Sequence, residues 1–246
     1  MRTALMIGGI LLLAACNAAG AQEGKADSGE KGTRTFDAGA GFEKVSLVGA
    51  GDVIVTVGGA PSIRAEGDTA RLEQLDVRVE DGELKIGLKK GKWSFGWGNG
   101  SNGPVTVHVT VPRLAGAWIG GAGDIRIDKV EGGDFNGTIT GAGDISVGAM
   151  KVQRAAFSIQ GSGGISAAGT ADSSDIQVAG SGDMKLENLA ARTAKISIMG
   201  SGDVRARASE TADVSIMGSG DVTLAGNARC TINKHGSGSV RCERDA

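Results

Sequence analysis

Tyrosine is absent from this chain of 246 residues, and aromatic residues make up only 3% of it. Aromatic rings supply much of the buried area of an ordinary globular core. The core here must therefore be narrow and built from small aliphatic groups. Also missing is any apolar run of about 20 residues, the length a membrane-spanning helix needs. Neither sign of charge is in excess: 26 Lys and Arg stand against 28 Asp and Glu, a net charge of −2. That balance argues against a nucleic-acid partner and against a polybasic membrane surface. No segment beyond the N-terminal region keeps a helical periodicity. No nucleophile–base–acid set is visible, no cofactor is implied, and no ligand spacing suggests a structural metal.

What the chain has is glycine, 43 residues of it, without the G-X-Y period of collagen. The glycines fall in a phrase, Gly-(Ala/Ser)-Gly-Asp, that begins at Gly49, Gly121, Gly141, Gly161, Gly180, Gly200, Gly218 and Gly236. Gly164 and Ser239 replace the Asp in two copies, and from Gly121 the steps are 20, 20, 19, 20, 18 and 18 residues. So short a period cannot hold an independent domain, so each copy is one coil or hairpin stacked on the next. Counting from the first Gly, positions −4, −2, +4 and +6 are mostly Val, Ile, Leu or Ala, as in Ile196/Ile198 and Ile145/Val147. Polar residues such as Ser197, Ser146, Lys185 and Arg205 lie between them. This alternation predicts two short half-buried strands per repeat, flanking the turn.

A hairpin meander would use the same turns, but the uniform period and turn chemistry favour stacked corners and hence a parallel β-solenoid of about 18–20 residues per coil. About seven coils at roughly 4.8 Å each give a rod on the order of 35 Å long. The two glycines permit positive φ and close approach of neighbouring coils. The column Asp52, Asp124, Asp144, Asp183, Asp203 and Asp221 has two readings. A cation or sugar site would relieve the repulsion between stacked carboxylates. Turn capping, each Asp accepting from the N–H groups of its own turn, is favoured, because Gly164 interrupts the column and the spacing of calcium-binding rolls is missing.

The ends differ from the repeat. Arg2, the apolar stretch Leu5 to Ala15 and the small residues after it read as an export signal. Leu13-Ala14-Ala15-Cys16 resembles a bacterial lipobox, which implies signal-peptidase II cleavage, acylation of Cys16 and a lipid anchor in the membrane. Asn17 in place of Asp points to the outer membrane. The alternative is an ordinary signal cut after Ala19-Gly20-Ala21. The expected organisation is a signal over 1–15, a flexible tether over 16–35 and a solenoid over 36–246, because the tether has too few apolar groups to order itself. In the last repeat Cys230 and Cys242 occupy inward positions of one coil, and in an exported protein the expected outcome is a disulfide. A buried thiol pair is the alternative. Lys234 and the charged tail suit a cap that guards an exposed edge against end-to-end association. Homo-oligomerisation through another face stays open.

Between Gly58 and Gly121 the period is lost. Ala65-Glu66-Gly67-Asp68, Val79-Glu80-Asp81-Gly82-Glu83-Leu84-Lys85-Ile86, Val109-Thr110-Val111-Pro112-Arg113-Leu114 and the repeated turns together resemble the autotransporter-adhesin head GIN family of bacterial envelope proteins, over roughly residues 38–243. The resemblance implies a right-handed β-solenoid of pectin-lyase-like shape without the catalytic residues of that fold, and a role in adhesion. The loop Lys89–Gly100 carries Trp93, Phe95 and Trp97. It would stack on a sugar, insert at a membrane interface or dock a partner, or else fold back over the open end of the solenoid. His108, on the outward face of a strand, and His235, at a turn, read as surface residues. The leading expectation is a non-catalytic envelope lipoprotein that presents a surface to an envelope protein or glycan. The alternative is a polysaccharide-acting enzyme or soluble sugar-binding protein using Lys185, Arg205 and Asp203 on one outer face.

Overall fold

The computed structural model describes residues 30–39, 41–89 and 105–244. Its N-terminal part holds β1 (Lys31–Phe36), β2 (Lys44–Gly49), β3 (Asp52–Val57), β4 (Ser62–Asp68), α1 (Thr69–Gln74), β5 (Leu75–Glu80), β6 (Glu83–Leu88) and β7 (Thr106–Val111). The alternation of apolar and polar residues sets the burial: Val53 and Val55 are buried while Ile54 and Thr56 face out. The helix is short because only one turn is specified. Asp68 caps it by accepting from the Arg71 N–H at 3.1 Å, and Leu72 is its one buried residue.

From residue 116 onward the chain coils regularly through β8 (Gly116–Gly121), β9 (Asp124–Gly141), β10 (Asp144–Gly161), β11 (Gly164–Gly180), β12 (Asp183–Gly200), β13 (Val204–Gly218), β14 (Val222–Ala225), β15 (Arg229–His235) and β16 (Val240–Glu243). Successive strands pair in parallel with equivalent residues opposite one another, for example Ile125, Ile145, Ile165 and Met184. The molecule is a parallel β-solenoid of about six turns with about 20 residues each. Seven phrases from Gly121 onward enclose six turns, one fewer than a count of phrases gives. The two short strands expected per repeat are joined: β9 to β12 each run 17 or 18 residues, from just after one glycine corner to the start of the next. The second bend of each coil is rounded and stays within the ladder, absorbed by register shifts such as those after Val147 and Ser166.

The glycine corner is sharp because side chains are excluded from it. Gly161 has φ +140°, and a Cβ there would overlap the carbonyl of Gly141 in the coil below. A Cβ on Gly163 would meet the carbonyl of Gly143 in the same way. Inside the coil, each inward column stacks like on like, as in Val178, Ile198 and Ile216, all 1% exposed. Phe135 and Phe157, both fully buried, meet edge-to-face in the core, with ring centroids 6.2 Å apart.

At the N-terminal end the stacking order departs from chain order. β6 and β7 lie parallel to β2 and β3 on their outer side, while β8 and β9 lie on the inner side. Antiparallel strands then close the stack, with β5 on β6, β4 on β7 and β1 on β4. An antiparallel partner of this kind covers a parallel edge and stops further coils from adding. The order begins earlier than the tether boundary at residue 35 allows, since β1 is strand from Lys31. Composition hid this because β1 is held mainly by its pairing with β4 and by Arg34, whose Nη1 donates to the Leu72 carbonyl at 3.0 Å, with Phe36 at its end packed against the core.

At the other end Cys230 and Cys242 form a disulfide across the final coil, with Cα atoms 6.8 Å apart. Their neighbours in the preceding coil, Ala212 and Leu224, are fully buried. Cys230 is half-buried and Cys242 is exposed, because no further coil covers them.

Candidate interaction surface

The Asp column lies along the glycine corners, and its carboxylates reach the neighbouring coil, not their own turn. Asp124 accepts from the Asp144 N–H at 3.2 Å, Asp144 from Gly164 N–H at 2.8 Å and Asp183 from Asp203 N–H at 3.1 Å. Asp203 accepts from Asp221 N–H at 3.0 Å, and Asp221 from both the N–H and the hydroxyl of Ser239 at 2.7 and 2.9 Å. At the sharp corner the carboxylate of the coil below supplies an acceptor for each of these donors, and Gly164 N–H shares its hydrogen with the Gly143 carbonyl at 3.3 Å. Asp183 N–H donates to the Gly163 carbonyl at 3.1 Å and Asp124 N–H to the Gly51 carbonyl at 3.0 Å, so these two corner donors meet backbone of the neighbouring coil. The backbone N–H and hydroxyl of Ser239 hold the Asp221 carboxyl below its ordinary value of 3.8. These contacts make the column a set of staples between coils.

Beside it runs a column of basic and hydroxyl side chains: Arg126, Ser146, Ser166, Lys185 and Arg205. Arg126 bridges Asp124 and Asp52, at 3.0 and 3.5 Å. At the gap left by Gly164 the two columns enclose a recess of about 370 Å³, bordered by Asp144, Asp183, Ser146, Ser162 and Ser166. Lys185 and Arg205 are in register one coil apart, each on the solvent side of its strand, with Asp203 on the corner between them.

The larger concavity is on the opposite, rounded edge. An open trough of about 900 Å³ crosses successive coils from Glu131 to Asn227. Its floor is Val152, Ala171, Ala191 and Ala208, stacked in register and buried. Charged side chains, among them Lys151, Asp172 and Arg192, rise along it. The Arg192 Nε donates to Glu210 Oε1 at 2.9 Å, which holds the guanidinium pKa above its ordinary value. Sequence spacing did not reveal this trough, because the register shifts at the rounded bend place the four floor residues 11, 10, 11 and 8 positions after their corner glycines.

The model of the family described as "Putative auto-transporter adhesin, head GIN domain" matches residues 41–228. The chain belongs to that family. No curated protein matches this head GIN chain. Solved structures of the same shape include a "putative adhesin" from Bacteroides fragilis, 22% identical with a TM-score of 0.80, matched over 87% of this chain and 98% of that one. A "Putative lipid binding protein" from Parabacteroides distasonis is 25% identical with a TM-score of 0.68, over 87% and 97% of the two chains. A "putative adhesin" from the same organism is 17% identical with a TM-score of 0.69, over 87% and 97%.

In this head GIN domain Cys16, Trp93, Phe95 and Trp97 lie outside the described residues. The ends of the Trp-bearing segment are placed. Lys89 N–H donates to the Gln74 carbonyl at 3.0 Å, and the Val105 carbonyl accepts from Asp52 N–H at 3.2 Å. The segment therefore connects β6, which pairs with β2, to β7, which pairs with β3. His108 Nε2 stands 3.1 Å from Glu66 Oε1, and this contact is the main reason the Glu66 carboxyl titrates below its ordinary range. His235 closes β15 as a strand residue and not in a turn. The match to the family ends two residues before Cys230, so the disulfide-closed coil lies beyond it.

Proposed function

We propose that this head GIN chain is a non-catalytic, lipid-anchored envelope protein whose solenoid displays an adhesive surface along its rounded edge. The observation that carries the reading is the trough. Its buried aliphatic floor and rim of both signs offer apolar contact with polar orientation, as binding surfaces do. Its walls are backbone-ladder positions, so it is pre-formed and an extended partner would bind without ordering it. A glycan chain or an extended segment of an envelope protein suits its shape. Cys16 supplies the anchor, and Trp93 and Trp97 add a second contact.

The test is an array of envelope glycans and envelope proteins, read beside an assay for new reducing ends. Binding without cleavage is expected, and Lys151→Glu with Arg192→Glu should weaken it at least tenfold while the fold persists. Release of reducing ends, or binding indifferent to both the trough substitutions and Trp93→Ala/Trp97→Ala, would overturn it. Under a block of signal peptidase II the precursor should accumulate; normal maturation would remove the anchor.

A further inference from the structure

β12, β13 and β15 run parallel and in register, so Met199 stands beside Met217 and Met217 beside His235. All three point to solvent. Met199 is 57% and Met217 62% exposed, more than any other large hydrophobic among the described residues, and His235 is exposed as well. The contrast within the chain is clear: Met150 and Met184 are 3% and 1% exposed and serve the core. Met199 and Met217 do no such packing.

The same outward column in other coils holds Val48, Gly120, Thr140, Gln160 and Ala179, none of which is a soft metal ligand. Only the two 18-residue steps at the end of the repeat align two thioethers with an imidazole. Two residues earlier on the same face are Ser197, Ser215 and Asn233, and the first carboxylate of that face is Asp213, four residues before Met217. Adjacent strands lie about 4.8 Å apart. A methionine side chain has three rotatable bonds, long and flexible enough to lean across one such spacing. Two sulfurs and one ring nitrogen can then converge on an ion above Met217.

We propose that Met199, Met217 and His235 form a surface site for a soft monovalent cation, Cu(I) or its redox-inert analogue Ag(I). Thioether ligands select soft ions, imidazole suits copper, and none of the three side chains is the carboxylate that hard divalent ions favour. Among the described residues the two thiols that would compete are tied up in the Cys230–Cys242 disulfide. This reading is independent of adhesion at the trough, which lies on the opposite edge of each coil.

The experiment titrates Ag(I) into the full chain carrying Cys16→Ser, which removes the remaining thiol, with the disulfide intact. Calorimetry gives the stoichiometry, and methyl signals of the methionines give the ligands. One ion per chain is expected, moving the methyls of Met199 and Met217 and leaving those of Met150 and Met184 in place. Met217→Leu and His235→Gln should each weaken binding at least tenfold. Both are exposed positions, and unchanged circular dichroism will show that the variants fold. Unmoved Met199 and Met217 methyls, or unchanged affinity in either variant, would overturn the site.

Discussion

At the residue scale, the corner glycines carry the fold. The requirement is steric and repeats in each coil: the first glycine takes a positive φ and its hydrogen faces a carbonyl one coil below. Gly161 is the cleanest case, since Gly141, Gly161 and Gly180 stack without interruption. Gly161→Ala combines left-handed strain with overlap against backbone that cannot move aside. The expected loss is about 3–5 kcal/mol, the sum of one strained residue and one overpacked contact, read as a lowered urea midpoint. By contrast Ser162→Ala, the central residue of the same corner, should change the midpoint little. Equal tolerance of both substitutions would show that the corner is set by something other than close approach. The glycine phrase made this role legible from the sequence. The Asp role was legible only in part: the spacing placed a carboxylate at each corner, but did not show that it accepts from the backbone of the neighbouring coil, a pairing between residues 18 to 20 positions apart.

At the scale of the element, the inward columns were legible because alternation fixes which face of a strand is buried. The rounded bend was not, since register shifts there destroy a fixed offset between equivalent residues. The cap was also illegible in chain order: β6 and β7 are stacked outside β2 and β3, and no local pattern reports so distant a pairing. The open end, β15 and β16, depends on the disulfide, which closes a loop of about a dozen residues and contributes on the order of 2–4 kcal/mol, and on the Asp221 staple. Asp221 titrates lower in the folded chain than its ordinary 3.8. A lowered carboxyl stabilises the fold above its unfolded value, and that contribution is lost as pH falls through the folded value. Between neutral pH and about 4 the Ser239 amide signal should therefore hold still, then move as the pH drops further. In Asp221→Asn it should show no such titration. A Ser239 amide that moved near neutral pH, or moved identically in the variant, would remove the staple from the final coil.

For the whole molecule, a stack in which each coil touches only its neighbours behaves as a nearly one-dimensional system, with stability the sum of coil and interface contributions. The seams of this solenoid are all alike at the glycine corner, because Gly180 and Gly200 occupy equivalent places in successive coils. Deleting residues 181–200 joins Gly180 to Ser201, and so rejoins corner to corner with the inward columns unbroken. The shortened chain should fold, lose about 4.8 Å of length in small-angle scattering, and unfold at a lower urea concentration because one interface is gone. Deleting ten residues instead, 181–190, shifts one half-coil against its neighbours by half a turn and places polar positions in the core. That variant should not fold. The pair separates two ideas of what the repeat does: if the solenoid is one globular core that happens to be periodic, both deletions fail alike, whereas a true stack forgives the loss of a whole period and nothing less.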